Sequence, residues 1–261
     1  MTDHCPPDLP QTMSHTPAET ILAHLHEVER LRHHRMAQAR LAQTTEQLKH
    51  FQQDRFRRSY ADLLQHPRYT NAAQFFLSHL YGPGDFSRRD AQFARVVPAV
   101  VRVFPSDVVG TVAKLAQLHA LSEGLDTRMA EHLIEMNTNT LTGAAYLQAW
   151  QTTGRPELRG QQIELTIAIG TELDRLTRKP LLRQALRLMR GPAAAAGLDE
   201  LQTFLEVGFD TFRAMKGAQE FLKTVETREQ ELSSALFAAD VHSNTDADRN
   251  HLAKVLKSFP A

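Results

Sequence analysis

The chain contains very little cysteine: one residue, Cys5, among 261. A single thiol cannot form an intrachain disulfide, and it leaves no cysteine cluster for a structural zinc site. No window approaches the roughly 18 uncharged apolar residues of a membrane span, so we expect no membrane partner. The first 20 residues show no secretory signal pattern. These absences favour a cytoplasmic protein without disulfides.

The chain also lacks an excess of charge of either sign, because 30 basic residues balance 30 acidic ones. Dedicated nucleic-acid-binding domains are usually strongly basic, so nucleic acid is an unlikely partner. Bases do outnumber acids locally between Arg30 and Arg68. A weak contact of Arg55, Arg57 and Arg58 with a phosphate backbone is therefore a third functional alternative. A solvated helix beside an acidic surface explains the same charges more simply.

Motifs that carry chemistry are missing as well. The chain has no Gly-x-Ser-x-Gly elbow, no Walker phosphate loop and no Gly-x-Gly-x-x-Gly turn. No Glu is followed by His three positions later, as di-iron bundles require, and there is no His-Glu-x-x-His zinc motif. The sequence therefore predicts no catalytic residue, no metal and no cofactor. It favours a non-catalytic protein and leaves enzymatic activity open.

Helical spacing of apolar residues dominates the sequence, whereas the alternation typical of strands is absent. The clearest stripe consists of Phe93, Val96, Val97, Val100, Val101 and Phe104. The pattern predicts an all-α fold, an irregular bundle of about eight to ten helices with a long N-terminal helix.

Composition divides the chain into four segments. We expect a disordered tail at 1–16, a long N-terminal helix or arm at 17–66, a helical bundle domain at 67–237, and a polar C-terminal tail at 238–261 that can form a short helix. Thr16 is the predicted N-cap of the arm, which contains one helix or two nearly continuous ones. The middle of the arm is polar, so we expect it to protrude or to pair with another chain as a coiled coil. Gly124 is expected to end a later helix, and Asp126 to cap the next one.

Residues 75–90 read F-F-L-S-H-L-Y-G-P-G-D-F-S-R-R-D and concentrate aromatic and charged side chains at a turn. In the structural interpretation, Pro83 prevents one helix from continuing, and Ser87 and Asp90 cap the next. Asp85 then pairs with an arginine, and the segment is a joint between helices.

The alternative interpretation places a pocket for an anion or haem near this joint. The candidate ligand-binding residues are Phe76, Tyr81, Arg88, Arg89 and His119. Arginines at a helix N-terminus suit anions, because backbone N–H groups there already attract negative charge. His119 lies on an apolar stripe, where it is a candidate haem ligand. A histidine in that position is more often a hydrogen-bonded core residue.

Residues 75–90, the run A-R-V-V-P at 94–98 and the pair Arg228-Glu229 resemble a family of uncharacterised bacterial helical proteins. That family is marked by an aromatic L-Y-G-P-x-D-F-x-x-R-D signature. The resemblance covers roughly residues 20–237. It implies an all-helical fold and brings no established function with it.

The sequence as a whole favours a non-catalytic helical scaffold or regulatory interaction protein that forms a homo-oligomer. The expected partner is a second copy of the chain or another protein, bound through the N-terminal helix. An enzyme or small-ligand-binding protein with a pocket near residues 75–90 is the alternative.

Overall fold

A computed structural model describes residues 16–80, 83–137, 140–239 and 259–260. Over these ranges the chain is all-α and contains no β-strand, which confirms the predicted fold class. The helices are α1 (Pro17–Met36), α2 (Ala39–Ser59), α3 (Ala61–Gln65), α4 (Thr70–Phe75), α5 (Ser87–Val103), α6 (Ser106–Glu135), α7 (Gly143–Thr153), α8 (Pro156–Thr177), α9 (Pro180–Leu188), α10 (Arg190–Ala195), α11 (Asp199–Ala214) and α12 (Gln219–Ala238). A π-helical turn, Phe76–Leu80, continues α4. None of the described helices combines the length and apolarity needed to cross a membrane.

The N-terminal segment begins as predicted but does not form a protruding arm. The Thr16 hydroxyl accepts a hydrogen bond from the Glu19 backbone N–H, and the Glu19 carboxylate accepts one from Thr16 N–H. The helix breaks between Met36 and Ala39, so α1 and α2 are separate. Both pack along α6, and α1 also contacts α5. The segment therefore belongs to the bundle, because its apolar side chains are buried there.

The central helix is α6, against which α1, α2, α7 and α8 all pack. The predicted break at Gly124 is wrong, since α6 continues through it for 30 residues in all. A glycine inside a helix costs only about 1 kcal/mol, which tertiary packing readily offsets. Asp126 does not cap a helix; it is buried and accepts a hydrogen bond from Gln52 of α2 at 2.9 Å.

The start of α5 also differs from the prediction. Ser87 is the first helical residue rather than the cap, the N-cap position is Phe86, and the Asp85 carboxylate just before it accepts from Ser87 N–H at 2.9 Å. Asp90 points into the protein instead of back toward the helix end. The predicted cap by Ser87 and Asp90 is therefore wrong. The predicted pairing of Asp85 with an arginine is wrong as well, because among the described residues its carboxylate binds the backbone of Ser87.

Three clusters of buried side chains form the core. One contains Leu48, Phe51, Met129, Tyr146 and Leu147, a second contains Phe56, Tyr60, Phe76, Phe212 and Phe221, and a third contains Ile21, Leu25, Val97, Val109 and Ala116. Gly170 of α8 lets α12 approach closely, because a Cβ there would overlap the side chain of Leu222.

Candidate functional site

Asp90 is the centre of a buried polar cluster between α1, α5 and α6. It accepts from Arg32 Nη2 at 2.6 Å, and its other oxygen lies 3.4 Å from Arg89 Nη2. His119 Nε2 is 3.0 Å from the same oxygen that Arg32 contacts. Burial alone would raise the pKa of Asp90, but the hydrogen bond from His119 and the neighbouring arginines hold that pKa below its ordinary value. Asp90 thus stays charged and fixes the positions of three bases.

The two arginines of the joint have different surroundings. The Arg89 guanidinium lies between the rings of Phe86 and Phe204, at 4.3 and 4.7 Å from their centroids, and it donates to the backbone carbonyl of His79 at 2.9 Å. Arg88 is exposed and forms ion pairs with the acidic first turn of α11. Both therefore have protein partners that hold helices together.

The candidate ligand-binding residues are thus separated in the fold. His119 and Arg89 meet at Asp90, whereas Arg88 faces α11. Phe76 is buried in the second core cluster, where it stacks near Phe56 and Phe221. Tyr81 lies outside the described residues. Anion or haem binding at this joint stays a prediction from the sequence.

A second buried cluster explains the basic character of the N-terminal helices. Glu123 of α6 accepts from Arg35 Nη2 at 2.6 Å and from Lys49 Nζ at 2.5 Å, and Arg35 also donates to the Thr127 hydroxyl at 2.8 Å. Arg55 of α2 is likewise buried and paired with a carboxylate of α12. The local excess of positive charge is therefore largely neutralised within the chain itself.

The three arginines considered for a phosphate contact also have protein partners. Arg55 pairs with Glu229, Arg57 pairs with Asp54 three residues before it, and Arg58 donates to the Phe259 carbonyl at 3.2 Å. Binding a phosphate backbone would require these contacts to be given up.

The Glu123 cluster predicts a specific acid sensitivity. Burial opposes the charged form, but Lys49 and Arg35 lower the pKa of Glu123 from 4.5 to about 2. Because the folded pKa is lower than the unfolded one, Glu123 stabilises the fold above pH 4.5, and this contribution is lost as the pH falls toward 2. Urea unfolding of the wild type and Glu123→Gln should give curves whose separation shrinks over this interval. A separation that stays constant with pH would show that the pKa of Glu123 does not change on folding.

The exposed face of α9 is unusual for an amphipathic helix. Leu181 and Leu188 are 75% and 78% exposed, and Ala185 and Met189 are exposed beside them. These four residues follow one helical stripe, which we call the α9 face. The buried residue of α9 is instead Arg183. Part of the apolar side of this helix thus faces outward, while Leu182 and Leu186 beside it are half-buried.

Ion pairs explain this orientation. Arg183 donates to Glu206 at 3.2 Å and to Asp210 at 2.5 Å, both on α11, and Arg190 pairs with the same Glu206. These charge-assisted contacts anchor the polar side of α9 to the bundle. Sequence reasoning missed the α9 face, because a Leu-Ala-Leu stripe looks the same whether it is buried or exposed. The available signal was the triplet Arg183, Arg187 and Arg190 on the opposite side.

The model of a family described as a domain of unknown function, DUF8198, matches residues 30–243, which is most of the chain. The chain belongs to the DUF8198 family. No curated protein matches it, and no solved structure does. The matched residues of this DUF8198 chain include both buried polar clusters and the α9 face.

The pair Arg228-Glu229 ties α12 of the DUF8198 chain to α2 and α3. Glu229 accepts from both terminal nitrogens of Arg55, at 2.9 and 3.3 Å, and from the Tyr60 hydroxyl at 2.7 Å. Arg228 makes two hydrogen bonds of 2.7 Å to Asp62. Adjacent residues of opposite charge thus bind two different elements.

Beside this pair lies a cavity of about 40 Å³ between α2, α7, α8 and α12. Its wall is mostly apolar and aromatic, including Phe76, Tyr146 and Trp150, and its charged side chains are Arg55, Arg159 and Glu229. Within the described part of the DUF8198 chain, no group of three or more His, Cys, Asp or Glu side chains is placed to hold a metal ion.

Proposed function

We propose that this DUF8198 chain is a non-catalytic helical interaction protein that self-associates through the α9 face. The proposal is carried by one observation: two leucines of a single stripe, Leu181 and Leu188, are about three-quarters exposed. Burial of apolar surface yields roughly 25 cal/mol per Å². A contiguous exposed apolar stripe therefore marks a contact surface.

A second copy of the chain suits this stripe because its order is nearly palindromic. Leu181 and Leu188 flank Ala185 at spacings of four and three residues. When two copies cross antiparallel about a twofold axis, Leu181 faces Leu188 of the partner subunit, and the small Ala185 lies at the crossing. Such self-complementarity is what an isologous dimer contact requires, and small residues let helices approach closely.

The charges around the stripe favour a protein over a lipid surface as its partner. Two of the three arginines between 183 and 190 are paired with acids of α11. Helices that bind anionic membranes instead present free basic residues beside their apolar face. Here Glu206 and Asp210 pair with Arg183 and Arg190, so Arg187 is the one exposed arginine of the three that forms no ion pair within the described residues.

This self-association contact lies on α9 and not on the N-terminal helix, where the sequence predicted it. The apolar residues Ile21, Leu25 and Val28 are buried within the bundle. They have no apolar surface left to offer a second chain. The α9 face retains that surface.

The charged double variant Leu181→Glu/Leu188→Glu tests the proposal. Because each leucine lies in the contact, the dissociation constant of the dimer should be at least about 100-fold higher for the variant than for the wild type. Each tenfold change in that constant corresponds to about 1.4 kcal/mol. Sedimentation equilibrium and native mass spectrometry should show a wild-type dimer and a monomeric variant.

The matched control is Met36→Glu, because Met36 is also exposed at 71% and lies on α1. This variant should keep the wild-type mass. Circular dichroism establishes that all three proteins are folded. A monomeric wild type, or a double variant with the wild-type association constant, would contradict self-association through α9.

A further inference from the structure

We propose that the groove between α8 and α12, together with the cavity at its floor, binds an uncharged amphipathic molecule: an apolar chain or ring that carries a hydroxyl or carbonyl oxygen. The cavity of about 40 Å³ opens into this groove, and the whole site, with the space open to solvent at its mouth, measures about 610 Å³. Binding sites for small molecules usually have volumes of about 300–1,000 Å³. The site is distinct from the α9 face and does not depend on self-association.

The wall of the groove offers mainly apolar contacts. Phe56, Phe76 and Tyr146 line it as buried side chains, whereas Ile163 and Ile167 of α8 are half-buried. These two isoleucines are four positions apart, which is roughly 6 Å along a helix. An alkyl chain or a single ring of about six carbons covers that length and contacts both of them. Its transfer from water to this wall is favourable in proportion to the apolar area that it buries.

Two buried donors in the wall call for an oxygen atom on the ligand. Trp150 is 9% exposed and Arg55 is 4% exposed, and both line the site. The indole N–H of Trp150 and the Nε–H of Arg55 have no hydrogen-bond partner among the described residues. Because a buried donor without a partner is costly, native structures rarely leave one unsatisfied. A hydroxyl or carbonyl oxygen accepts such a hydrogen bond and leaves the rest of the ligand free to contact the apolar wall.

The charged side chains of the wall favour a neutral ligand, because each of them already has partners within the protein. Glu229 accepts from both terminal nitrogens of Arg55, at 2.9 and 3.3 Å. Arg159 lies over the Trp150 ring, 3.9 Å from its centroid, and donates to Gln162 at 3.3 Å. A charged ligand would bring an unbalanced charge into a mostly apolar site, which is far more costly than burying a hydrogen-bonded neutral group.

The chain contains one tryptophan, and it lies in this wall, so a proton–nitrogen NMR spectrum shows a single indole N–H signal that reports on the site. Titration with n-hexanol should move this signal downfield to a saturable limit, because a hydrogen bond deshields the proton. Ethanol has the hydroxyl without the apolar body, and hexanoate has the same carbon chain with a negative charge. Neither should cause a saturable shift at the same concentrations. No saturable shift with n-hexanol, or an equal response to ethanol or hexanoate, would overturn the proposal.

Two variants test the polar and the apolar part of the site by isothermal titration calorimetry with n-hexanol. Trp150→Phe keeps an aromatic ring under Arg159 but removes the indole N–H, so the dissociation constant for n-hexanol should rise about tenfold. Ile163→Glu places a charge in the apolar part of the groove and should abolish detectable binding. The control Glu164→Gln changes the adjacent, exposed residue of α8 and should bind n-hexanol as the wild type does.

Either variant can decide the question alone, and circular dichroism establishes which of them is folded. If Ile163→Glu fails to fold, Trp150→Phe still separates binding at this site from nonspecific binding of an alcohol to apolar surface. Wild-type affinity for n-hexanol in a folded Trp150→Phe would overturn the proposal.

Discussion

Replacing Glu123 with alanine is expected to lower the free energy of unfolding by about 3–5 kcal/mol. Glu123 is buried and accepts hydrogen bonds from Arg35 of α1 and Lys49 of α2. Its removal leaves two cations facing each other in the interior without their shared carboxylate. Two helices each lose a buried ion pair with α6 at the same time, so the loss exceeds that of an ordinary ion pair. Urea unfolding monitored by circular dichroism at neutral pH measures the effect.

The matched control is Glu131→Ala, since Glu131 is also a glutamate of α6 that pairs with an α1 residue. Its partner is His34 at 3.1 Å, and both side chains are exposed to solvent. Exposed pairs contribute about 0–1 kcal/mol, so this variant should unfold almost as the wild type does. Equal losses in the two variants would show that burial of the Glu123 cluster does not govern its contribution.

Replacing Phe221 with alanine is expected to cost about 3–5 kcal/mol of stability. Phe221 is fully buried where α12 meets α4 and the π-helical turn, with ring centroids 5.8 Å from those of Tyr69 and Phe76. The substitution removes this apolar surface and leaves a cavity that rigid aromatic neighbours fill only in part. Chemical unfolding gives the loss directly.

Phe104→Ala is the control for Phe221, because Phe104 follows α5 and is exposed. That variant should lose less than about 1 kcal/mol, as surface truncations generally do. A stability loss in Phe221→Ala no larger than in this control would contradict the assignment of the second core cluster.

Local signals in the sequence located many helix starts correctly. Thr16 forms the predicted N-cap together with Glu19, and α8 and α9 each begin at a proline, Pro156 and Pro180. These signals succeed because a cap or a first-turn proline acts within one helical turn of its own position. The all-α class followed from the periodicity of apolar residues, which is also local information.

Local sequence signals could not identify interaction partners that are distant along the chain. Arg35 lies in a polar stretch that suggested a solvated helix, yet it is buried on a glutamate 88 positions away. His119 was rightly placed on an inward stripe, but its partner Asp90 was expected to cap α5. A carboxylate suits both a cap and an ion pair, so only the packing of α1 and α6 against α5 decides between them.

The orientation of α9 depended on distant partners in the same way. Its apolar stripe predicts burial, but Arg183 on the opposite side binds acids 23 and 27 positions later. Pairing with α11 fixes which side faces inward. The sequence shows that α9 is amphipathic, whereas only the fold shows that Leu181, Ala185 and Leu188 face solvent.

A cysteine placed at the expected twofold axis tests whether two copies of the chain meet at the α9 face. The chain has one native cysteine, so Ala185→Cys combined with Cys5→Ser leaves one thiol, and Met36→Cys in the same background is the control. Under mild oxidation, intact-mass spectrometry should show that Ala185→Cys forms a disulfide-linked dimer rapidly while Met36→Cys stays mostly monomeric. If Ala185→Cys cross-links no faster than Met36→Cys, the α9 face is not where two copies of the chain meet.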